Sequence, residues 1–157
     1  KVLTNALHRI IMEKSDFGRS EGKPMDEHAY RRLREYNDSL KAIDDTYRAA
    51  ARRFGLPECA FWILYTLRVE RAPLTQSEIC ALQHQPKQTV HSALKRLEAD
   101  GLLKLAHGGN RKSKYVCLTE KGARLAERTV DRIAEAEAEA LLGLSDGERE
   151  ALFSLLQ

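Results

Sequence analysis

Between Leu74 and Gly122 the signals that start and stop helices follow one another so closely that few architectures accommodate them. Thr75-Gln-Ser-Glu78 is a capping box: a threonine hydroxyl accepts from the N–H three residues on, and the glutamate reaches back to the threonine N–H. Leu74 and Ile79 stand at the staple positions around it. This helix should end near Leu82, because Gln83-His-Gln85 reads as a turn and Pro86 is favoured at the first position of a helix, where a missing N–H costs nothing. The second helix should run to Asp100 and be closed by Gly101, a residue that readily takes the left-handed conformation of a helix end. Pro73 and Leu74 read as a short extended link before these helices. Leu102–Ala106 and Tyr115–Leu118 read as strands, with His107-Gly-Gly-Asn-Arg-Lys-Ser113 as the tip between them.

The order is short helix, three-residue turn, longer helix and basic hairpin, that is, a winged helix-turn-helix. In such a unit the second helix enters the DNA major groove and needs an apolar face for the core and a polar face for bases. On a helical wheel Val90, Ala93, Leu94 and Leu97 share one face. Gln88, Ser92, Lys95 and Ala99 share the opposite one, flanked by Thr89, His91 and Arg96. Gln88, Thr89, His91 and Ser92 are the expected base readers, since such side chains bond base edges. Thr75, Gln76, Ser77, Lys87, Lys95 and Arg96 are the expected phosphate contacts, joined by Arg111, Lys112 and Lys114 of the wing. A flexible basic finger suits the neighbouring minor groove, whose negative potential attracts Arg and Lys. Charge agrees: residues 75–115 hold seven Lys/Arg against three Asp/Glu, whereas the whole chain carries only +3.

The flanks read as helical. Leu3, Leu7, Ile10 and Ile11 suggest a short amphipathic helix, followed by a loop from Asp16 to Pro24. Asp26 can cap a long helix, with Met25 and Tyr30 as its staple. Leu33, Tyr36, Leu40, Ile43, Tyr47, Ala50 and Phe54 repeat along it in alternating steps of three and four, a heptad seam. Gly55 and Pro57 end it. Glu58–Val69 is apolar nearly all round and reads as a buried central helix. Thr119 caps another long helix, with Ala126, Val130, Ile133, Ala136 or Glu137, and Ala140 or Leu141 along one stripe, to Gly143. Ser145-Asp-Gly-Glu148 is a second capping box, opening a terminal helix through Leu152, Leu155 and Leu156. The expected fold is therefore mainly α with a small β-hairpin wing. Residues 1–24 form an N-terminal helix and loop, 25–56 and 119–157 a helical dimerisation region, and 57–118 the winged helix-turn-helix domain. The two stripes are too long for one 157-residue chain to cover, so a C2 homodimer is expected.

Pro86-Lys-Gln-Thr-Val-His-Ser-Ala-Leu-Lys-Arg-Leu-Glu-Ala-Asp-Gly-Leu-Leu103 resembles the recognition helix and first wing strand of the MarR family of bacterial transcription regulators. Asn110-Arg-Lys-Ser-Lys-Tyr-Val-Cys-Leu-Thr-Glu-Lys-Gly122 resembles that family's wing, D-x-R followed by a hydrophobic strand and L-T-x-x-G. Here Asn110 and Lys112 replace the aspartate and arginine of the wing pattern. The resemblance spans roughly residues 27–157. It implies a triangular homodimer on pseudo-palindromic double-stranded operators, often tuned by small aromatic or anionic ligands. Trp62 and Tyr65, on the apolar helix at the domain junction, are the candidate ligand contacts.

Other readings fit less of the chain. No Walker, Rossmann or H-E-x-x-H pattern is present, so neither an enzyme nor a cofactor is expected. His8, His28, His84, His91 and His107 are scattered, and no metal site is expected. Cys59, Cys80 and Cys117 form no CxxC pair, which suits reduced thiols in a cytoplasm. No basic-then-apolar leader and no apolar run long enough for a membrane span is seen. The alternatives are a cysteine-based redox sensor, with Cys59 near a helix start and the other two at core-like positions, and a winged-helix adaptor that binds protein.

Overall fold

The computed structural model describes residues 26–107 and 114–156, with side-chain burial described as far as Leu155. The expected helix at Leu3–Ile11, the staple residue Met25 and the wing tip from Gly108 to Ser113 lie outside the described residues. The elements run α1 (Glu27–Arg53), α2 (Glu58–Glu70), β1 (Leu74–Thr75), α3 (Gln76–Gln83), α4 (Lys87–Ala99), β2 (Leu103–His107), β3 (Lys114–Leu118), α5 (Glu120–Arg128), α6 (Val130–Leu142) and α7 (Asp146–Leu156). Residues 44–138 form one compact unit, and the described residues outside that range belong to a second.

In the first unit α2 is the central beam. Its sequence is apolar all round, and Ala60, Phe61, Ile63, Leu64, Thr66 and Leu67 are buried. Helices α3, α4 and α5 all pack against it. The core they share adds Ile79, Val90, Leu94, Leu97, Leu102, Leu103, Val116, Ala126 and Val130. The capping box opens α3 as expected: the Thr75 hydroxyl accepts from the Glu78 N–H at 3.3 Å, and the Thr75 N–H donates to Glu78 at 2.6 Å. The helix runs one residue past its expected end. Gln83 is only 2% exposed and donates from Nε2 to the Thr66 hydroxyl at 3.1 Å, tying α3 to α2. His84, at φ 50°, ends α3, and Gly101, at φ +70°, follows α4.

The sheet has three antiparallel strands in the order β1-β3-β2. The expected hairpin is there, with Leu105 opposite Val116 and His107 opposite Lys114. The sequence reading missed the third strand: Leu74, expected in an extended link with Pro73, and the cap residue Thr75 pair with Val116 and Tyr115. This extra pairing fastens the start of α3 to the wing.

One helix was expected after Thr119, but two form. The Thr129 hydroxyl donates to the Leu125 carbonyl at 2.7 Å, and Thr129 leaves helical geometry at φ −127°, ψ −89°. A threonine that bonds back to the preceding turn bends a helix, and here the chain breaks into α5 and α6.

In the second unit the Asp26 carboxylate accepts from the His28 N–H at 3.2 Å, opening α1. Ser145 and Glu148 form the expected second capping box, with the Ser145 N–H donating to Glu148 at 2.8 Å. Apolar side chains stand exposed on all three helical segments of this unit, among them Leu33 and Ile43 on α1, Leu142 on α6 and Leu155 on α7. No helix among the described residues is long and apolar enough to cross a membrane.

Candidate nucleic-acid interface

Helix α4 divides into the two faces that its periodicity predicts. Val90, Leu94 and Leu97 are buried and Ala93 half-buried. Lys87, Gln88, Thr89, His91, Ser92, Lys95 and Arg96 are all exposed, so the polar side chains lie free of the core on one rigid element. The helix is held from beneath: the Cys59 thiol of α2 lies 4.0 Å from the Thr89 carbonyl.

The residues at the start of α3 behave differently from one another. Ser77 is exposed. Thr75 is committed to the capping box, its hydroxyl bonded to the Glu78 carboxylate at 2.8 Å. The Thr75 backbone N–H and hydroxyl together hold the Glu78 carboxyl below its ordinary range. Gln76 is spent on α4: its Nε2 donates to the Lys87 carbonyl at 3.3 Å, and its Oε1 lies 3.3 Å from Nδ1 of His91. Nothing in the sequence marked this bridge, since a glutamine at a helix start is compatible with solvent, phosphate or protein.

On the wing, Lys104 and Lys114 are exposed, while Arg111 and Lys112 lie outside the described residues. A groove of about 310 Å³ separates α4 from the sheet, lined by Gln76, His91, Lys95 and Lys114 over Leu94, Leu105 and Val116. The wing's base is set by Leu118-Thr-Glu-Lys-Gly122. The Thr119 N–H donates to the Leu102 carbonyl at 3.0 Å and its hydroxyl accepts from the Gly122 N–H at 3.0 Å. Lys121 Nζ donates to the Asp100 carbonyl at 2.7 Å, so the end of α4 and the start of α5 are stitched together.

Trp62 and Tyr65 fall in an aromatic cluster. Trp62 lies 4.8 Å from the Tyr47 ring and 5.5 Å from Tyr65, centroid to centroid. The Tyr47 and Tyr65 hydroxyls each donate to a different oxygen of Glu137. Burial first, then those bonds and the carboxylate's charge, push both phenols above their ordinary range. Beside this cluster Arg68 of α2 pairs with Asp131 of α6 through two nitrogens. The expected stripe offered Ala136 or Glu137; the inward position is Glu137, and Ala136 is exposed. A separate cavity of about 500 Å³ has Ala49, Ala50, Phe54 and Ile133 as its apolar lining and Arg53, Arg128 and Arg132 as its charged one.

Cys80 is buried, while Cys59 and Cys117 are half-buried; the core-like placement expected for Cys117 is only partial. Among the described residues no three His, Cys, Asp or Glu side chains are grouped to hold a metal ion.

The geometry has counterparts among known proteins. The family model described as MarR family matches residues 54–113, which span α2, the helix pair and the first strand of the wing. The transcriptional regulator PecS of Dickeya dadantii is 32% identical over 121 residues, covering 75% of this chain and 69% of that protein. The chain belongs to the MarR family of transcription regulators. Solved MarR-type structures share its fold. NMB1585, a MarR family regulator of Neisseria meningitidis, aligns with a TM-score of 0.65 at 26% identity, over 78% of this chain and 87% of that one. A Listeria monocytogenes chain assigned to the MarR family, complexed with 26mer DNA, aligns with a TM-score of 0.63 at 25% identity, over 79% and 83%. In this MarR-family chain the L-T-x-x-G signature has a physical content: a threonine cap, and a glycine where α5 meets the Leu102 carbonyl.

Proposed function

We propose that this regulator binds a pseudo-palindromic double-stranded operator as a C2 homodimer, in the cytoplasm, without catalysing a reaction. Helix α4 enters the major groove, and the β2–β3 wing lies against the adjacent minor groove. Gln88, Thr89, His91 and Ser92 read bases. Ser77, Lys87, Lys95, Arg96, Arg111, Lys112 and Lys114 hold phosphate or the minor groove, while Thr75 and Gln76 shape the helix pair. The observation that carries this reading is the rigid polar face of α4 above a fully apolar one. The DNA complex of the Listeria relative supports it.

The dimer is supported by exposed apolar surface. Of the ten large hydrophobic residues exposed among those described, seven belong to the unit outside residues 44–138. Apolar surface gathered on one set of helices is the mark of an interface. The two α4 helices of the dimer then stand about 34 Å apart, one DNA turn.

A small effector completes the proposal. The phenol hydroxyls beside Trp62 are already bonded to Glu137, a carboxylate that repels anions. The arginine-lined cavity on Ala49, Phe54 and Ile133 suits an aromatic or aliphatic anion better; Trp62 and Tyr65, the contacts expected from the sequence, are not part of its lining. The test of the whole reading is selection from a random duplex pool with the intact protein, followed by sedimentation of the complex. Two chains on an inverted repeat support it. A monomer bound to no preferred sequence contradicts it.

A further inference from the structure

The bridge between Gln76 and α4 determines more than the packing of two helices. A side-chain amide has a nitrogen that only donates and an oxygen that only accepts. The Lys87 carbonyl is an acceptor, so the amide must turn Nε2 toward it, at 3.3 Å. That leaves Oε1 facing Nδ1 of His91, also at 3.3 Å. Two acceptors cannot share a hydrogen bond, so Nδ1 carries the proton. In an uncharged imidazole the other nitrogen, Nε2, then has a lone pair and no hydrogen. His91 is exposed, one turn from Gln88 and Lys95 on α4.

We infer that Gln76 is a positioning residue that presents His91 to DNA as a hydrogen-bond acceptor, selecting a base that offers an exocyclic amino group. The inference rests on the reading in which α4 occupies the major groove. There adenine offers its N6 amino group and cytosine its N4, whereas guanine and thymine present O6, N7 and O4 as acceptors. A histidine held in the opposite tautomer would donate instead, to guanine, thymine or the N7 of adenine. Whether the ring accepts from an amino group or donates to a base acceptor is thus set from the neighbouring helix.

The experiment starts from the selected operator and the intact protein. At each half-site position adenine is replaced by purine 2′-deoxyriboside, which lacks the N6 amino group, or cytosine by its 4-unsubstituted analogue. The wild type should lose about five- to tenfold in affinity at one position per half-site, the effect of one hydrogen bond. His91→Ala should show no loss from the analogue at that position. Gln76→Leu should show a diminished loss there, with discrimination elsewhere and the salt dependence unchanged. In the His91→Ala background, Gln76→Leu should add nothing at that position. Absence of any amino-dependent position that His91→Ala abolishes overturns the inference even where a palindromic operator is selected. So does a Gln76→Leu variant that weakens all positions equally, which is a structural effect only. If Gln76→Leu does not fold, the analogue series with His91→Ala still decides whether the ring accepts from an amino group. Failure to select any operator removes the underlying reading itself, and that outcome is distinct from the others.

Discussion

Gly122 lies so close to Leu102 that a Cβ on residue 122 would stand 2.0 Å from the Leu102 carbonyl oxygen. That oxygen belongs to backbone at the foot of the wing and already accepts the Thr119 N–H. It cannot yield without moving β2 or α5. Gly122→Ala should therefore destabilise the fold by about 3 kcal/mol, the upper range for overpacking a tight site. Thr119→Ala removes the helix cap and the hydroxyl's bond to the Gly101 carbonyl, without a steric clash, and should cost about 1–2 kcal/mol. Urea denaturation of both variants checks the order, and equal effects would contradict the close approach.

Reading and gripping should separate along α4. Gln88→Ala and Ser92→Ala should each cost about 1–3 kcal/mol on the preferred operator and relax its specificity. Lys95→Ala and Arg111→Ala should weaken all duplexes alike and reduce the salt slope by about one unit per phosphate contact. Anisotropy titrations on matched and scrambled duplexes distinguish the two classes.

The two phenols on Glu137 predict an alkaline limb of stability. Their folded values lie above the unfolded value of 10.0. The contribution is therefore complete below pH 10 and is lost as pH rises from there through the folded values. The melting temperature should fall in that window. The Tyr47→Phe/Tyr65→Phe double variant should be less stable at neutral pH and should show a flatter alkaline limb.

Effector binding is checked by the only tryptophan. A panel of small aromatic acids is titrated while Trp62 fluorescence and DNA affinity are followed together. A compound that acts should change both, because a ligand shifts an equilibrium only through unequal affinity for its two states. The Arg128→Ala/Arg132→Ala variant should lose both responses. A fluorescence change with DNA affinity untouched would mean a pocket without regulation.

Much of the helix-turn-helix lobe was legible in the sequence because its signals are local. The faces of α4 follow from a 3.6-residue period over thirteen residues, and both capping boxes are four-residue patterns with one geometry. What escaped depends on partners distant in sequence. A two-residue strand has no periodicity, so β1 shows only through its pairing with β3. Thr129 is an acceptable helix residue until its hydroxyl bonds back to Leu125. Glu137 stands in an apolar stripe for a reason visible only once Tyr47 and Tyr65 converge on it from α1 and α2. The bridge from Gln76 to His91 escaped too, because fifteen residues separate the partners and no local pattern marks the pair.

The central claim is that α4 and the wing grip duplex DNA through their cationic side chains. The most direct measurement is the affinity for a selected operator at a series of salt concentrations, with the stoichiometry fixed by sedimentation. The account predicts two chains per duplex and a linear fall of log K with log salt, with a slope of about −0.9 for each phosphate neutralised. Six contacts or more would weaken binding by at least about a thousandfold between 50 and 200 mM salt. An affinity that is independent of salt, or no binding at 50 mM, would contradict it.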